Sequence, residues 1–362
     1  MDSLNKRPNL PSRLSIDGHG GDIYRVTENN DKDIIDFSAN INPLGFPAEV
    51  KKVLKSSFDR LLHYPDPHAG RMTKSIAQYW NIGKDNILAG NGSVELIYLV
   101  MQAFMPKTVC IPVPSFSDYE RAARLVKSSV THVTLSSQNN FMLDLSAIQQ
   151  SDILIFGNPN NPTGNLLLSE RKAVDDLPCE MVIADEAFMD FVENEGEFSL
   201  IRKATQCKKI IVLRTFTKFY AIPGLRGGYM IAHKDIIDHV KQFSIPWTCN
   251  VFTQIAAETL LNNNEYMKKT RMLISKEREY LFNKINKIKL LSPYSSEANY
   301  LLIRIENRRI TSSELAEKMI HKGILIRDCS NYKGLDNRFF RIAVRTHREN
   351  VLCVNALKGI IE

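Results

Sequence analysis

In the stretch RTFTKFYAIPGLRGGYMIAH (residues 214–233), Lys218 is set among Phe216, Phe219, Tyr220 and Ile222, with Arg226 eight positions on and Gly227 and Gly228 after it. An unpaired buried ammonium is costly. Two readings therefore compete: the side chain snorkels its head to solvent, or its amine is there to be used as a nucleophile. Thr215 and Thr217 flank it with hydroxyls able to donate to an anion. Three other stretches carry residues of comparable promise. LAGNGSVELI (88–97) sets Gly90, Asn91, Gly92 and Ser93 where free N–H groups of a helix N-terminus would attract an anion. A tight turn with a Ser cap explains the same residues, and their spacing is neither that of a dinucleotide fold nor that of a P-loop. FGNPNNPTGN (156–165) is a rigid turn in which Asn161 offers an amide. MVIADEAFMDF (181–191) places Asp185 directly after four apolar residues, either as a helix cap or as a buried carboxylate, while Phe188 and Phe191 read as packing residues.

The elements that must position these groups are legible as a pattern. NILAG, TVCIPVP, DILIFGNP, EMVIADEAF, KIIVLRTF and GYMIAHK are short runs rich in Val and Ile, each ending in a polar or turn residue, and most are separated by helix-length segments such as SVELIYLVMQAFM. Such runs predict a mostly parallel sheet covered on both faces, and ligands bind outside the carboxyl ends of its strands. The candidate residues stand at those ends. Together they offer an anion nest (Gly92, Ser93), an amide (Asn161), a carboxylate (Asp185), two hydroxyls, an amine (Lys218) and a guanidinium (Arg226). A pyridine ring bearing a phosphate, a phenolic oxygen and an aldehyde requires that set.

The chain has 362 residues, 44% hydrophobic and 24% charged, enough for one large or two smaller domains. We divide it into an extended arm (1–47, including GHGGD and SANINPLGFP), a large α/β domain (48–247) and a smaller α+β domain (248–362), which opens on long charged helices. The net charge of +7 is dispersed, with no block of five like charges, which argues against a nucleic-acid tail or a polybasic membrane patch. No apolar run approaches the roughly eighteen residues of a membrane span. The six cysteines lie far apart without metal-ligand spacing, and no signal peptide is evident. The expectation is free thiols in a reducing cytoplasm and no metal.

The ordered set G-N-G-S, N-N-P-T-G, A-D-E-A-F, then T-x-T-K with an Arg eight beyond, resembles the fold-type I pyridoxal-phosphate enzymes of the aspartate aminotransferase superfamily. More narrowly, it resembles the branch shared by histidinol-phosphate aminotransferase and threonine-phosphate decarboxylase, from HGG at 19–21 to RIAVR at 341–345. The resemblance implies a large domain with a mostly parallel seven-stranded sheet between helices, a smaller α+β domain, and pyridoxal 5′-phosphate as cofactor. By it, Lys218 carries the cofactor as a Schiff base, Asp185 pairs with the pyridinium, Asn161 reaches O3′, and Phe116 stacks on the ring. Gly92, Ser93, Val94, Thr215, Thr217 and Arg226 hold the phosphate, and Tyr64 of HYPDP reaches the neighbouring site of a homodimer. Arg341 takes the substrate carboxylate, Arg327 and His19 lie near a substrate phosphate, and Asn42 and Arg345 lie near the substrate.

One departure bears on the reaction. Aminotransferase relatives usually carry Tyr where this chain has Phe188, and Phe cannot donate to O3′. This feature, with the GHGGD and NYKGLD motifs, resembles the decarboxylase side of the branch, although Asp22 stands where its motif commonly has Asn. The expected reaction is decarboxylation of L-threonine O-3-phosphate to (R)-1-amino-2-propanol O-2-phosphate. The alternatives are a histidinol-phosphate or related aminotransferase, a phosphoserine decarboxylase, and a non-catalytic regulator on the same fold. A single methyl separates the two phosphoamino acids, worth only about 1–3 kcal/mol of discrimination. No nucleic-acid or membrane partner is expected.

Overall fold

The structure is a computed structural model that describes residues 20–24, 34–306 and 309–362. A two-residue strand, β1 (Ile35–Asp36), precedes the main architecture. The next seven strands are β2 (Ile87–Gly90), β3 (Thr108–Val113), β4 (Ser129–Thr134), β5 (Ser151–Gly157), β6 (Cys179–Asp185), β7 (Ile210–Thr215) and β8 (Gly228–Ala232). They form one sheet in the order β2-β8-β7-β6-β5-β3-β4. The pairs β3–β4, β3–β5, β5–β6 and β6–β7 are parallel, whereas β8 runs antiparallel to both β7 and β2.

Alternation along each strand feeds two cores. In β3, Val109, Ile111 and Val113 join one apolar cluster and Cys110 the other; β6 separates Met181 and Ile183 from Val182 and Ala184 in the same way. Strands apolar on both faces must be covered on both. Helix Gly92–Phe104 covers one face with Leu96, Ile97, Val100 and Met101, all buried. Because β4 and β5 flank β3 on opposite sides, the sheet has its switch point there, and the crevice at the carboxyl ends is the place for a ligand.

Two connections are shaped by side chains that bond to backbone. The helix begun at Ala48 stops at Lys55, where the hydroxyls of Ser56 and Ser57 bond back to Val53 O (3.0 and 2.8 Å), a competition that weakens a helix end. The link from β5 to β6 holds only a 3-10 turn, Arg171–Val174. Asn158 organises that loop instead: Nδ2 donates to Leu168 O (3.1 Å), and Oδ1 accepts from the N–H groups of Leu167 (2.9 Å) and Leu168 (3.2 Å).

Beyond the 22-residue helix Asn264–Ile285 lie β9 (Leu291–Pro293), β10 (Tyr300–Ile305), β11 (Ile324–Leu325), β12 (Arg327–Asp328) and β13 (Phe339–Ala343). Four of them make an antiparallel sheet in the order β12-β13-β10-β9. The N-terminal segment is stitched onto this region. β1 pairs in parallel with β11, and Ala343 N donates to Phe37 O (2.8 Å).

Arg214 on β7 is wholly buried and ionically satisfied. Its Nε donates to Glu186 Oε2 (2.9 Å), Nη1 to Glu195 Oε2 (2.9 Å) and Nη2 to Ser199 Oγ (3.1 Å), with Asp190 Oδ1 3.4 Å away and the Trp80 ring 4.8 Å from the guanidinium carbon. Arg271, on helix Asn264–Ile285, adds a second cation through Glu195 Oε1 (2.6 Å) and Asp190 O (2.9 Å). Replacing Arg214 by Met leaves Glu186 buried without its counterion. The expected cost is about 3–5 kcal/mol, read as a lower urea midpoint at unchanged slope.

Candidate active site

The carboxyl ends of β6 and β7, the first turn of helix Gly92–Phe104 and the segment after β1 converge on a cleft of about 360 Å³. Asp185, the last residue of β6, is 6% exposed. Its Oδ2 accepts from Tyr119 Oη (2.8 Å) and its Oδ1 from Ala187 N–H (3.1 Å). Burial pushes its carboxyl up to about 6 against these two bonds. Lys218 lies in the irregular turn after β7 and is half-buried. Burial, followed by the charges of Arg341 and Arg226, lowers its amine to about 8, with Asp36 and Asp185 opposing. The amine is therefore neither a solvated surface charge nor half of a tight ion pair.

At the other side of the cleft stands an anion cradle. Gly92 has φ +84°, and a Cβ there would fall 2.8 Å from Arg226 Nη2; a Cβ on Gly228 would fall 2.6 Å from Ser93 N. Both contacts demand glycine, because the space is taken by anion donors. Thr215 Oγ1 lies 2.8 Å from Thr217 Oγ1 and from Gly227 O. Among the described residues Arg226 donates only to Pro223 O, at 3.4 Å. Ser93, Val94, Phe116, Thr215, Thr217 and Arg226 all line the cleft. A helix N-terminus with hydroxyls and a guanidinium at one end, a carboxylate at another and an amine nearby is a donor set that fits a phosphorylated pyridine aldehyde.

The substrate side comes from the small sheet and the N-terminal segment. Arg341 on β13 and Arg327 on β12 are register partners. Arg341 donates through Nη1 to Asn161 Oδ1 and through Nη2 to Ser38 O (2.9 Å), and its guanidinium carbon lies 5.2 Å over the Tyr300 ring. Asn161 Oδ1 also accepts from Tyr332 Oη (3.3 Å), so its amide N–H groups are what it offers a ligand. Arg327 is not a lining residue of the cleft. Its Nη2 reaches Asn331 Oδ1 (2.9 Å) and its guanidinium carbon sits 5.2 Å over Tyr332, which does line it. Phe188 lines the cleft beside Asp185, 6% exposed and edge-on to Tyr300 at 5.0 Å.

Three predicted residues fall elsewhere, and a fourth is not among the described residues. Asn42 is 2% exposed and its amide is consumed by Phe219 O, Tyr266 Oη and Thr270 Oγ1, so it is no lining residue. Asn40, two positions earlier, is the asparagine that lines the cleft, and its buried Oδ1 has no partner among the described residues. Arg345 also departs from expectation. It pairs with Glu349 Oε1 (2.9 Å) at the start of helix His347–Ile361, away from the cleft residues. Tyr64 is 83% exposed and packs on Trp247, ring centroids 5.1 Å apart, outside this protomer's cleft. His19 lies outside the described residues. Sequence reasoning missed Tyr119, Ser38 and Tyr332. Tyr119 had a signal, standing three residues after Phe116 in the first turn of helix Ser117–Leu125.

The family described as "Aminotransferase class I and II" matches residues 32–357. A Caldanaerobacter subterraneus subsp. tengcongensis protein, provisionally named as a threonine-phosphate decarboxylase, is 36% identical, covering 95% of this chain and 94% of its own. The threonine-phosphate decarboxylase of Salmonella typhimurium is 33% identical, covering 95% and 96%. Among solved structures, the histidinol-phosphate aminotransferase of Clostridium acetobutylicum superposes with a TM-score of 0.82 at 33% identity, covering 90% of this chain and 98% of that one.

The charges around Lys218 give a test with a definite sign. Acylation of Lys218 in the cofactor-free protein, followed against pH by mass spectrometry, is expected to reach half-maximal rate near pH 8. Arg341→Gln removes a cation and should move that midpoint up; Asp185→Asn removes an anion and should move it down.

Proposed function

Because the chain belongs to the class I and II aminotransferase family, we infer that its cleft takes pyridoxal 5′-phosphate and decarboxylates L-threonine O-3-phosphate to (R)-1-amino-2-propanol O-2-phosphate, the linker of the cobalamin nucleotide loop. One observation carries the choice of reaction. Phe188 fills the place beside Asp185 with a ring that has no hydroxyl to offer, where aminotransferase relatives usually carry Tyr. The name of the Salmonella typhimurium relative supports the same choice.

Bound there, the cofactor would supply an electron sink for whichever Cα bond lies across its ring. Asp185 would hold the proton on the ring nitrogen, a contact that draws its own raised carboxyl back to the charged form. The lowered amine of Lys218 leaves more of the neutral nucleophile near neutral pH than an ordinary lysine, with pKa about 10.4, supplies. Gly92, Ser93, Val94, Thr215, Thr217 and Arg226 would grip the phosphate, Phe116 would flank the ring and Asn161 would donate to O3′. Arg341 suits the substrate carboxylate, and Arg327 would serve the substrate phosphate, a role the family resemblance also gives to His19. The protein selects which bond breaks by fixing orientation, and these guanidinium groups would hold the substrate carboxylate where it can depart.

We further assign residues 48–247 to the cofactor-binding domain and 248–362 to the small one, a division supported by the confinement of the two larger sheets to 87–232 and 291–343. The exposed aromatic pair Tyr64 and Trp247, near Phe58, Leu61, Leu62 and Ile245 in the chain, supports a homodimer in which Tyr64 reaches the neighbouring site. Among the described residues no helix is long and apolar enough to cross a membrane. All six cysteines are free thiols, which supports the cytoplasm as the site of action.

Purified enzyme supplied with the cofactor and phosphothreonine is expected to release CO2 and form the amine phosphate, identified by mass spectrometry beside phosphoserine and histidinol phosphate. Clean 2-oxoglutarate-dependent amino exchange with histidinol phosphate would instead establish the activity named for the Clostridium acetobutylicum neighbour. Lys218→Ala should lose the visible band of the lysine-linked cofactor and nearly all turnover. Asn40→Ala should raise KM more than it lowers kcat, because it alters a cleft-lining side chain that takes no part in bond breaking.

A further inference from the structure

Lys218 sits in a turn that has little regular structure to hold it. Ala221, three residues on, is held at φ +53°, a conformation costing an L-residue about 1–2 kcal/mol. Strain of this kind persists only where surroundings over-determine it. Here Asn42, through backbone and side chain, joins the turn's own bonds from Tyr220 N–H to Phe216 O (3.3 Å) and from Ile222 N–H to Thr217 O (3.3 Å). Asn42 N–H donates to Lys218 O (3.1 Å), which otherwise receives, among the described residues, Ala221 N–H at 3.4 Å. Asn42 Nδ2 donates to Phe219 O (2.7 Å). The amide orientation is fixed, since Asn42 Oδ1 accepts from Leu44 N–H (3.0 Å), and Nδ2 is shared further with Tyr266 Oη (3.0 Å) and Thr270 Oγ1 (2.8 Å) of helix Asn264–Ile285. The same short segment reaches the substrate side, because Ser38 O receives Arg341 Nη2 (2.9 Å).

Resting on the functional reading above, we propose that Asn42 is a positioning residue for Lys218: its backbone N–H holds Lys218 O, its side chain pins Phe219 O in the register that allows this, and the side-chain bond thereby fixes the distance of the amine from Arg341. It touches neither cofactor nor substrate. The clamp differs from plain packing in what it controls, namely the place of Nζ within the field of Asp36, Asp185, Arg226 and Arg341.

The test compares holoenzymes carrying Asn42→Ala, Tyr266→Phe and Thr270→Val. Each removes a member of the same buried cluster, but Thr270 touches neither lysine-turn carbonyl through any bond described here. The readouts are the pH midpoint of the visible band of the lysine-linked cofactor, kcat, KM and Tm. Asn42→Ala is expected to displace the midpoint and to lower kcat by about 10- to 100-fold with KM little changed. Tyr266→Phe removes the hydroxyl that accepts from Asn42 Nδ2 (3.0 Å), donates to Gly45 O (2.9 Å) and lies 3.3 Å from Phe219 O, and should move both in the same direction by less. Thr270→Val should lower Tm while leaving midpoint and kcat in place. Unchanged midpoints in Asn42→Ala and Tyr266→Phe, or an equal displacement in Thr270→Val, overturn the proposal; should Asn42→Ala not fold, Tyr266→Phe decides. A wild-type protein with no visible band refutes the functional reading instead, so the two failures are distinct.

Discussion

A guanidinium held out of water sits between the two strands that carry the chemistry. Arg214 adjoins Thr215 in the chain and Glu186 adjoins Asp185, so the buried bond between them fixes the ends of β7 and β6 relative to each other. In a medium of low dielectric such a pair tolerates little displacement, since any gap leaves desolvated charge uncompensated. Asp190 and Glu195 extend the arrangement to Arg271. The long helix that leads to the small sheet is thereby referenced to the same point. Carboxylate and amine keep their separation because the charges next to them cannot move apart.

The cleft itself is built on an imbalance. Two cations, Arg341 and Arg226, outweigh the nearby carboxylates in their effect on Lys218, and burial adds to the same direction. Asp185 experiences the converse, with burial lifting its carboxyl against Tyr119, one backbone N–H and the charge of Lys218. Both groups are thus displaced toward neutrality, the amine downward and the acid upward. A cationic ring nitrogen and an anionic phosphate are the charges that such a site lacks.

Much of this was readable in the chain, for a physical reason. Strands apolar on both faces mark a covered parallel sheet, and the residue where apolarity ends is the residue at the crevice; Asp185 and Thr215 are read that way, and Lys218 from the apolar residues around it. Contacts supplied from far away in sequence were not legible. Asn40 and Asn42 are two positions apart, and in an extended segment nothing local says which one faces the ligand. Only the distant helix carrying Tyr266 and Thr270 decides. Arg345 did carry a local warning: T-H-R-E spells a capping box, present as Thr346 and Glu349, and the glutamate that closes it also occupies the arginine. The missing helix between β5 and β6 left a weaker trace in the prolines of N-P-N-N-P.

The two-residue strand near the N-terminus has an effect larger than its length. Through its pairing with β11, and through Phe37 O on β13, the backbone from Ile35 to Asn42 is joined to the antiparallel sheet that bears Arg327 and Arg341. Any hinge swing of that sheet against the seven-stranded one therefore carries the entry rim at Ser38–Asn40 along with the arginines. Through Asn42 the same displacement would reach the lysine turn, so that the two sides of the cleft are tied to one segment of backbone.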